Sequence, residues 1–270
     1  MCSSDLPRLA AELGLVTGFA FGGLFATVGR GRVRRNYADA VDVTDDTGLA
    51  VMAVLPRTKG RQNSLAGRVV NEPAGPEAEA LRSLRGRLRL TGQGSVPRSV
   101  LFVGSATGDG SSGIAAGFAR VAALDGLRVL LIEGDLQTPE LAGTLGVAPS
   151  RGLIETLNGH DHWPENVARD SMTTMDLLLV GRPQPAASQL LETMQLQSLM
   201  AETREEYNLV VVDGHPVTQE LHSVTLANIV DAVVLVVAAG ETGREQVRAA
   251  VTAVSSAARR PPVVALSQAA

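Results

Sequence analysis

Short apolar runs rich in β-branched residues, separated by helical patterns, constrain this chain more than any other feature. From Ser99 onward they are SVLFVG, RVLLIEG (from Arg128), MDLLLVG (from Met175), NLVVVDG (from Asn208), AVVLVVA (from Ala232) and VVALS (from Val263). Runs this short that are apolar throughout, not alternating, suit strands buried on both faces of a parallel sheet. Helical stretches lie between most of them, including GIAAGFARVAAL at 113–124, ASQLLETMQLQSLMAETREE at 187–206 and EQVRAAVTAVSSAA at 245–258. The fold class read from this alternation is α/β, a doubly wound and mainly parallel sheet. At 270 residues and 45% hydrophobic, the chain can bury one sizeable core and a small annex.

Ligands of such sheets bind beyond the carboxyl ends of the strands, and three of these ends carry suggestive residues. The first is the loop GSATGDGSSG, Gly104 to Gly113, between a strand and a helix. Aligned to a phosphate-binding loop of the form G-x-x-x-x-G-K-[ST], it runs from Ser105 to Ser112, with Ser111 where the lysine is expected. Gly108 and Gly110 allow the backbone to curl so that N–H groups point at phosphate oxygens. The helix beginning near Ser112 adds its dipole, and the Ser112 hydroxyl suits magnesium. Alone, the loop also reads as a plain strand-to-helix turn. The second end is VLLIEGDLQTPEL, with Asp135 just past a strand; the third is YNLVVVDGHPV, with Asp213. Either aspartate alone could be a helix cap; together they could hold magnesium and position an attacking group.

The amino-terminal part reads differently. LGLVTGFAFGGLFATVG, residues 13–29, carries no charge and falls just short of the ~18 apolar residues that argue a spanning helix. Gly14, Gly18 and Gly22 form a small-residue face on it. Arg30, Arg32, Arg34 and Arg35 follow, against Arg8 before, which places the rest of the chain in the cytoplasm. The alternative is a buried glycine-rich helix. CSSDL, residues 2–6, is what a common sequencing-adapter end encodes in one frame, so 1–12 is read as a fragmentary stub. Residues 30–76 are read as a juxtamembrane segment and linker, with LAVMAVLP a short strand stopped by Pro56, and 77–270 as the P-loop domain. PEAEALRSLRGRLRL places Ala80, Leu81, Leu84 and Leu88 on one helical face, with Glu79, Arg82 and Arg85 exposed.

The ordered series of these motifs resembles the cytoplasmic ATPase domain of the bacterial tyrosine kinases attached to polysaccharide co-polymerases, the chain-length determinants of capsule and exopolysaccharide export. EALRSLRGRL is similar to the family's EAxRSLRTNL helix, SATGDGSSG to its SxxPGEGKST loop, and VLLIEGDLQTP to its VLLIDADLRRP. GLIETLNG (152–159) is similar to GLSDVLxG, LLLVGRPQPAASQLLET to LLPAGxxPPNPxELLxS, and YNLVVVDGHPV to YDxVIIDTPPV. TGLAVMAVLP is similar to the TGLPVLGVIP that follows the family's second membrane helix. The resemblance covers nearly all of the chain from Leu13. It implies ATP and magnesium as cofactors, with Gly108, Asp109, Gly110, Ser111, Ser112 and Gly113 around the phosphates. Ser112, Asp135 and Asp213 would meet magnesium, and Asp135 and Asp213 would serve catalysis. It also implies a homo-oligomer with Glu79, Arg82 and Arg85 at the subunit contact, a bacterial inner-membrane location and polysaccharide export machinery as partner.

The departures from the family pattern bear on activity. Ser111 stands for the loop lysine, Gly113 for a second hydroxyl residue, Gln137 for an arginine and His215 for a proline, and the family's C-terminal tyrosine cluster has no counterpart beside Tyr37 and Tyr207. An ammonium about 4 Å from a phosphate charge contributes roughly 4 kcal/mol at an effective dielectric of about 20. Asp109, Asp135 and Asp213 are then expected to face a triphosphate with only magnesium to offset them. The reading is a membrane-anchored, tyrosine-kinase-like regulator with a degenerate loop and impaired ATP binding. Two alternatives stand: an active tyrosine autokinase that recruits a cation from a neighbouring subunit, and a partitioning-type ATPase. A net charge of −4 and 3% aromatic residues argue against a nucleic-acid partner. One cysteine, Cys2, excludes an internal disulfide or multi-cysteine metal site, and His160 and His162 on a polar loop are read as solvated.

Overall fold

A computed structural model describes residues 36–57, 64–91, 95–159, 162–182, 187–192, 194–217 and 222–269. The stretch expected to span a membrane, residues 13–29, its flanking arginines and His160 lie outside them. Among the described residues no helix is long and apolar enough to cross a membrane.

The core is one eight-stranded sheet. Its strands in chain order are β1 (Val51–Arg57), β2 (Ser99–Gly104), β3 (Val129–Glu133), β4 (Ala168–Arg169), β5 (Asp176–Leu178), β6 (Leu209–Gly214), β7 (Ala232–Ala238) and β8 (Val263–Ala269). Their spatial order is β1-β8-β7-β2-β6-β3-β5-β4, parallel throughout except for the two-residue edge strand β4 against β5.

Side chains alternate between the faces of each strand, and here both faces are covered. Leu101, Val103, Leu130, Ile132, Val210 and Val212 join one core, while Val100, Phe102, Val129, Leu131 and Val211 join the other. The first face is covered by α1 (Ala40–Thr47), α6 (Leu153–Leu157), α7 (Met194–Glu206), α8 (His222–Ile229) and α9 (Arg244–Ala257). The second carries α2 (Leu65–Asn71), α3 (Pro76–Leu90), α4 (Ser111–Leu124) and α5 (Leu141–Leu145). Double coverage explains why the strands read as continuous apolar runs.

Three expectations need correcting. The compact unit begins at Asn36, not residue 77. Strand β1 pairs with β8, and α2 lies on α4, so much of the stretch read as linker is part of the domain. Pro56 does not stop β1, which runs on to Arg57 with Pro56 opposite Gln268; an edge strand tolerates proline because the missing N–H can face the open side. On α3 the buried face is Ala78, Leu81, Leu84 and Leu88, with Ala80 only partly covered.

Helix α4 is sandwiched between the sheet and the α2–α3 layer and is buried nearly all round. Arg120 in its middle is therefore inside the protein, where a lone guanidinium would be costly. Asp170 meets it with two hydrogen bonds (Nε–Oδ2 3.1 Å, Nη2–Oδ1 2.6 Å), and Nη1 donates to the Ala66 carbonyl of α2 at 2.8 Å. This buried pair ties α2 to the helix that follows the glycine-rich loop.

Candidate functional site

The sheet order brings the three strand ends together. Strand β6 lies between β2 and β3, with Asp213 registered between Phe102 and Glu133. The loop after β2 and Asp135 after β3 thus flank Asp213 at the carboxyl edge.

The glycine-rich loop is held from within. Gly108 (φ 82°) and Gly110 (φ 87°) adopt the left-handed backbone that glycine accommodates without a Cβ clash. Gly110 is the N-cap of α4, whose first residue is Ser111. Asp109, expected to face a triphosphate, turns its carboxylate into the loop instead. Its carboxylate is buried in the loop, accepting from Ser105 Oγ (2.6 Å), the Ala106 amide (2.8 Å) and Thr242 Oγ1 (2.8 Å). Burial raises its pKa, and these bonds only partly oppose the shift. Asp109 thus shapes the loop and ties it to the turn after β7. Ser111 is buried, whereas a Cβ on Gly113 would meet open space.

The acids at the neighbouring strand ends have unequal surroundings. Glu133, the last residue of β3, is buried and accepts from the Leu141 amide (2.7 Å) and the Val180 amide (3.0 Å). It borders a cleft of about 470 Å³ between α5 and the end of β5. Burial raises its pKa, and the charge of Asp135 adds to that. Asp135 is well supplied with donors. The Gln137 and Thr138 amides reach Oδ1 at 3.0 and 2.9 Å, the Thr138 hydroxyl reaches Oδ2 at 2.8 Å, and His215 Nδ1 lies 3.1 Å from both oxygens.

Asp213 is the opposite case. It is fully buried, and neither carboxylate oxygen has a hydrogen-bond partner of normal geometry. Burial pushes its pKa well up; the nearby Ser112 hydroxyl favours the ionised form without outweighing burial, and Glu133 and Asp135 push the same way as burial. A buried carboxylate with no donor of normal geometry fits a cation. Ser112 and Asp213 therefore fit magnesium, whereas Asp135 already has a donor for each of its acceptor positions.

No arginine of α4 stands in for the loop lysine, since Arg120 is committed to Asp170. Arg82 and Arg85 of α3 are committed too. Arg82 Nε lies 3.0 Å from Asp125 Oδ1 and Arg85 Nη2 2.5 Å from Oδ2, while Arg82 Nη1 donates to the Pro73 carbonyl. Burial alone would raise Asp125, but the two arginines hold its pKa below the usual range. Of the three residues read as exposed, only Glu79 is so, at 74% of its side chain against 27% for Arg82 and 21% for Arg85. Tyr37 and Tyr207 are both buried, donating to Asp46 and Asp176. Burial and the Asp46 contact push Tyr37 up to about 12, and burial with Asp176 also raises Tyr207.

A mostly parallel sheet with a glycine-rich loop after one strand and carboxylates at the next two strand ends has the architecture of the P-loop nucleotide hydrolases. Comparison with known proteins narrows this class. The chain is 31% identical over 239 residues to EpsB of Ralstonia solanacearum, named as a tyrosine-protein kinase, covering 84% of this chain and 31% of that protein. It is 30% identical over 183 residues to the succinoglycan biosynthesis transport protein ExoP of Rhizobium meliloti, covering 67% of this chain and 23% of ExoP. Among solved structures, the chimerical protein CapA2B2 superposes with a TM-score of 0.77 at 23% identity, covering 84% of this chain and 98% of that one. The kinase domain of Escherichia coli tyrosine kinase ETK gives 0.77 at 21%, covering 86% and 95%. No protein-family model matches. The chain is a homologue of bacterial tyrosine-protein kinases and has the fold of their P-loop kinase domains. It spans about a third of the length of EpsB, the first of these relatives.

Three contacts escape sequence reasoning. Thr242 is 133 residues from Asp109, and His215 is 80 from Asp135; only the topology joins them. The Val217 amide closes the Asp213 turn onto the Gly104 carbonyl at 2.8 Å.

Proposed function

We propose that this chain is a membrane-anchored, tyrosine-kinase-like P-loop domain that acts in exopolysaccharide or capsule chain-length control and export with weakened ATP binding. The observation that carries the reading is the pairing of a buried Ser111 at the lysine position with a fully buried, unpartnered Asp213. The loop backbone at Gly108, Gly110, Ser112 and Gly113 would cradle the phosphates of ATP, and Ser112 and Asp213 would hold magnesium. When bound, magnesium supplies positive charge between the phosphate oxygens and these residues. Asp109 keeps the loop in shape, and Glu133 anchors α5 and the end of β5. Asp135 is the second catalytic carboxylate by family position. The proposal includes an inner-membrane anchor at residues 13–29, assembly of like subunits through the α3 surface that bears Glu79, Arg82 and Arg85, and export machinery as partner. Because Arg82 and Arg85 already share Asp125, such a contact would use Glu79 first or exchange their partner.

Calorimetry tests the nucleotide site. The wild type is expected to bind magnesium–ATP weakly, and Ser111→Lys to tighten it by about one to three orders of magnitude, the range set by restoring one charge beside a phosphate. Tight binding by the wild type would favour the active autokinase reading; a folded lysine variant with no gain would sink the proposed loop function. For the anchor, the full chain is expected to stay with membranes through high-salt and carbonate washes. Recovery mainly in the soluble fraction would contradict it.

A further inference from the structure

The amino-terminal ends of the central strands carry a cluster of arginines that the nucleotide site does not use. Arg98 precedes β2, Arg204 lies in the last turns of α7, and Arg259 and Arg260 follow α9. Among the described residues none has a carboxylate within ion-pair distance; their hydrogen-bond partners there are neutral. Arg204 donates through Nε and Nη2 to the buried Ser99 hydroxyl (3.1 and 2.8 Å) and through Nη2 to the Ile229 carbonyl. Arg98 donates to the Tyr207 carbonyl, Arg259 to the Asn228 carbonyl, and Arg260 to Ser95. Asp231, the acid whose charge bears on Arg204, is turned onto the amides of Arg98 and Ser99 at 2.8 and 2.9 Å. Burial lowers the pKa of Arg204; Asp231 opposes this, while Arg259 and Arg98 add to it. The cluster therefore crowds like charges around a half-buried guanidinium.

Between these residues opens a pocket of about 210 Å³, lined by Gln197, Met200, Arg204, Asn228, Ile229 and Arg259. Arg259 supplies its two Nη groups and Arg204, whose Nε and Nη2 are engaged, supplies Nη1 toward a tetrahedral oxyanion; the two amide side chains can add neutral donors, and Met200 and Ile229 supply an apolar wall. We propose that this pocket binds a phosphoryl group, with Arg204 and Arg259 as its cationic pair. It is a different site from the glycine-rich loop. The loop follows the carboxyl end of β2 and the pocket adjoins its first residue, so six residues of strand, about 20 Å, separate them. The phosphoryl group could belong to a soluble phosphate monoester or to the headgroup of an anionic phospholipid.

The test is calorimetric titration of the full chain with inorganic phosphate, glycerol phosphate, and short-chain phosphatidic acid, against sodium chloride at matched ionic strength. Arg259→Gln is the variant of choice, because Arg259 is exposed whereas Arg204 also satisfies Ser99 and Ile229. Wild type is expected to bind phosphate, and Arg259→Gln to bind it about tenfold more weakly, the loss expected for one charge-assisted contact. Equal affinity for glycerol phosphate and phosphatidic acid would support a soluble ester; tighter binding of phosphatidic acid, lost in the same variant, would support a headgroup. Binding no better than chloride, or unchanged in Arg259→Gln, would overturn the proposal, the latter by assigning the phosphate to the glycine-rich loop.

Discussion

Two aspartates, both withdrawn from solvent, show how differently one residue type can be used in this fold. Asp170 accepts two hydrogen bonds from Arg120 and a third from Thr173 Oγ1 at 2.7 Å. Asp213 lies at the end of β6 and accepts none of normal geometry. Desolvation costs a carboxylate several kcal/mol wherever it is buried. At Asp170 the fold offsets that cost internally, and the pair joins α2, α4 and the loop before β5. At Asp213 the offset is missing, so the carboxyl is driven toward its neutral form. A matched buried charge belongs to architecture; an unmatched one at a strand end is poised for a cation from outside.

The largest effect separating the two should come from Asp170→Ala. It strands the Arg120 guanidinium inside the protein, for which about 3–5 kcal/mol is the usual loss. Urea denaturation of variant and wild type measures it directly. A loss below about 1 kcal/mol would mean that Arg120 finds another partner and that the contrast between the sites is overdrawn. If Asp170→Ala does not fold, Asp170→Asn keeps an acceptor near Arg120 and should lose less.

Asp213→Asn should act with the opposite sign. In nucleotide-free and metal-free protein, removing an unsatisfied buried acid should raise stability by about 1–3 kcal/mol at neutral pH. The pH dependence follows from the raised pKa. An acid whose folded pKa lies above its unfolded value, about 3.9 for aspartate, contributes stability that is present below the unfolded value and lost as pH rises through the folded one. Thermal unfolding of the wild type should therefore weaken from pH 4 upward, and Asp213→Asn should flatten that slope. Glu133 and Asp109, also raised by burial, should leave part of it. A variant less stable than wild type at pH 7 would show that Asp213 is compensated after all.

The sheet was legible in the sequence because its strands are buried on both faces, which leaves continuous apolar runs. Elements that depend on partners were not. The Leu65–Asn71 helix has a readable cap, Ser64, whose hydroxyl accepts from the Gly67 amide, but it is short and set among polar residues. It forms because Leu65, Ala66 and Val69 pack in the same core as Leu81 and Phe118. Strand β4, two residues long and antiparallel, has no periodicity to read. At the candidate site, motif order located Gly108, Gly110, Asp135 and Asp213 at strand ends. It could not say which carboxylates have partners. The motif sets Asp109 facing a triphosphate because a loop motif says nothing of Thr242, and Asp135 and Asp213 look alike in sequence although His215 lies against only one of them.

That histidine provides the smallest and most selective test of the contrast. A carboxylate offers about four acceptor positions. On Asp135 the Gln137 and Thr138 amides, the Thr138 hydroxyl and His215 Nδ1 occupy that side chain, leaving Asp213 as the carboxylate open to magnesium. The resembling family has proline at the His215 position, which carries no side-chain donor and would open one side of Asp135. In a Ser111→Lys background, where nucleotide binding should be measurable, His215→Pro is expected to increase the magnesium dependence of ADP affinity about tenfold, near 1.4 kcal/mol. His215→Gln, which keeps a donor, should stay close to the parent. Calorimetry with and without magnesium reads the ratio, so a general change in nucleotide affinity cancels. An unchanged ratio in His215→Pro would mean that Asp135 takes no part in holding the ion even when released, and that Asp213 and Ser112 act alone.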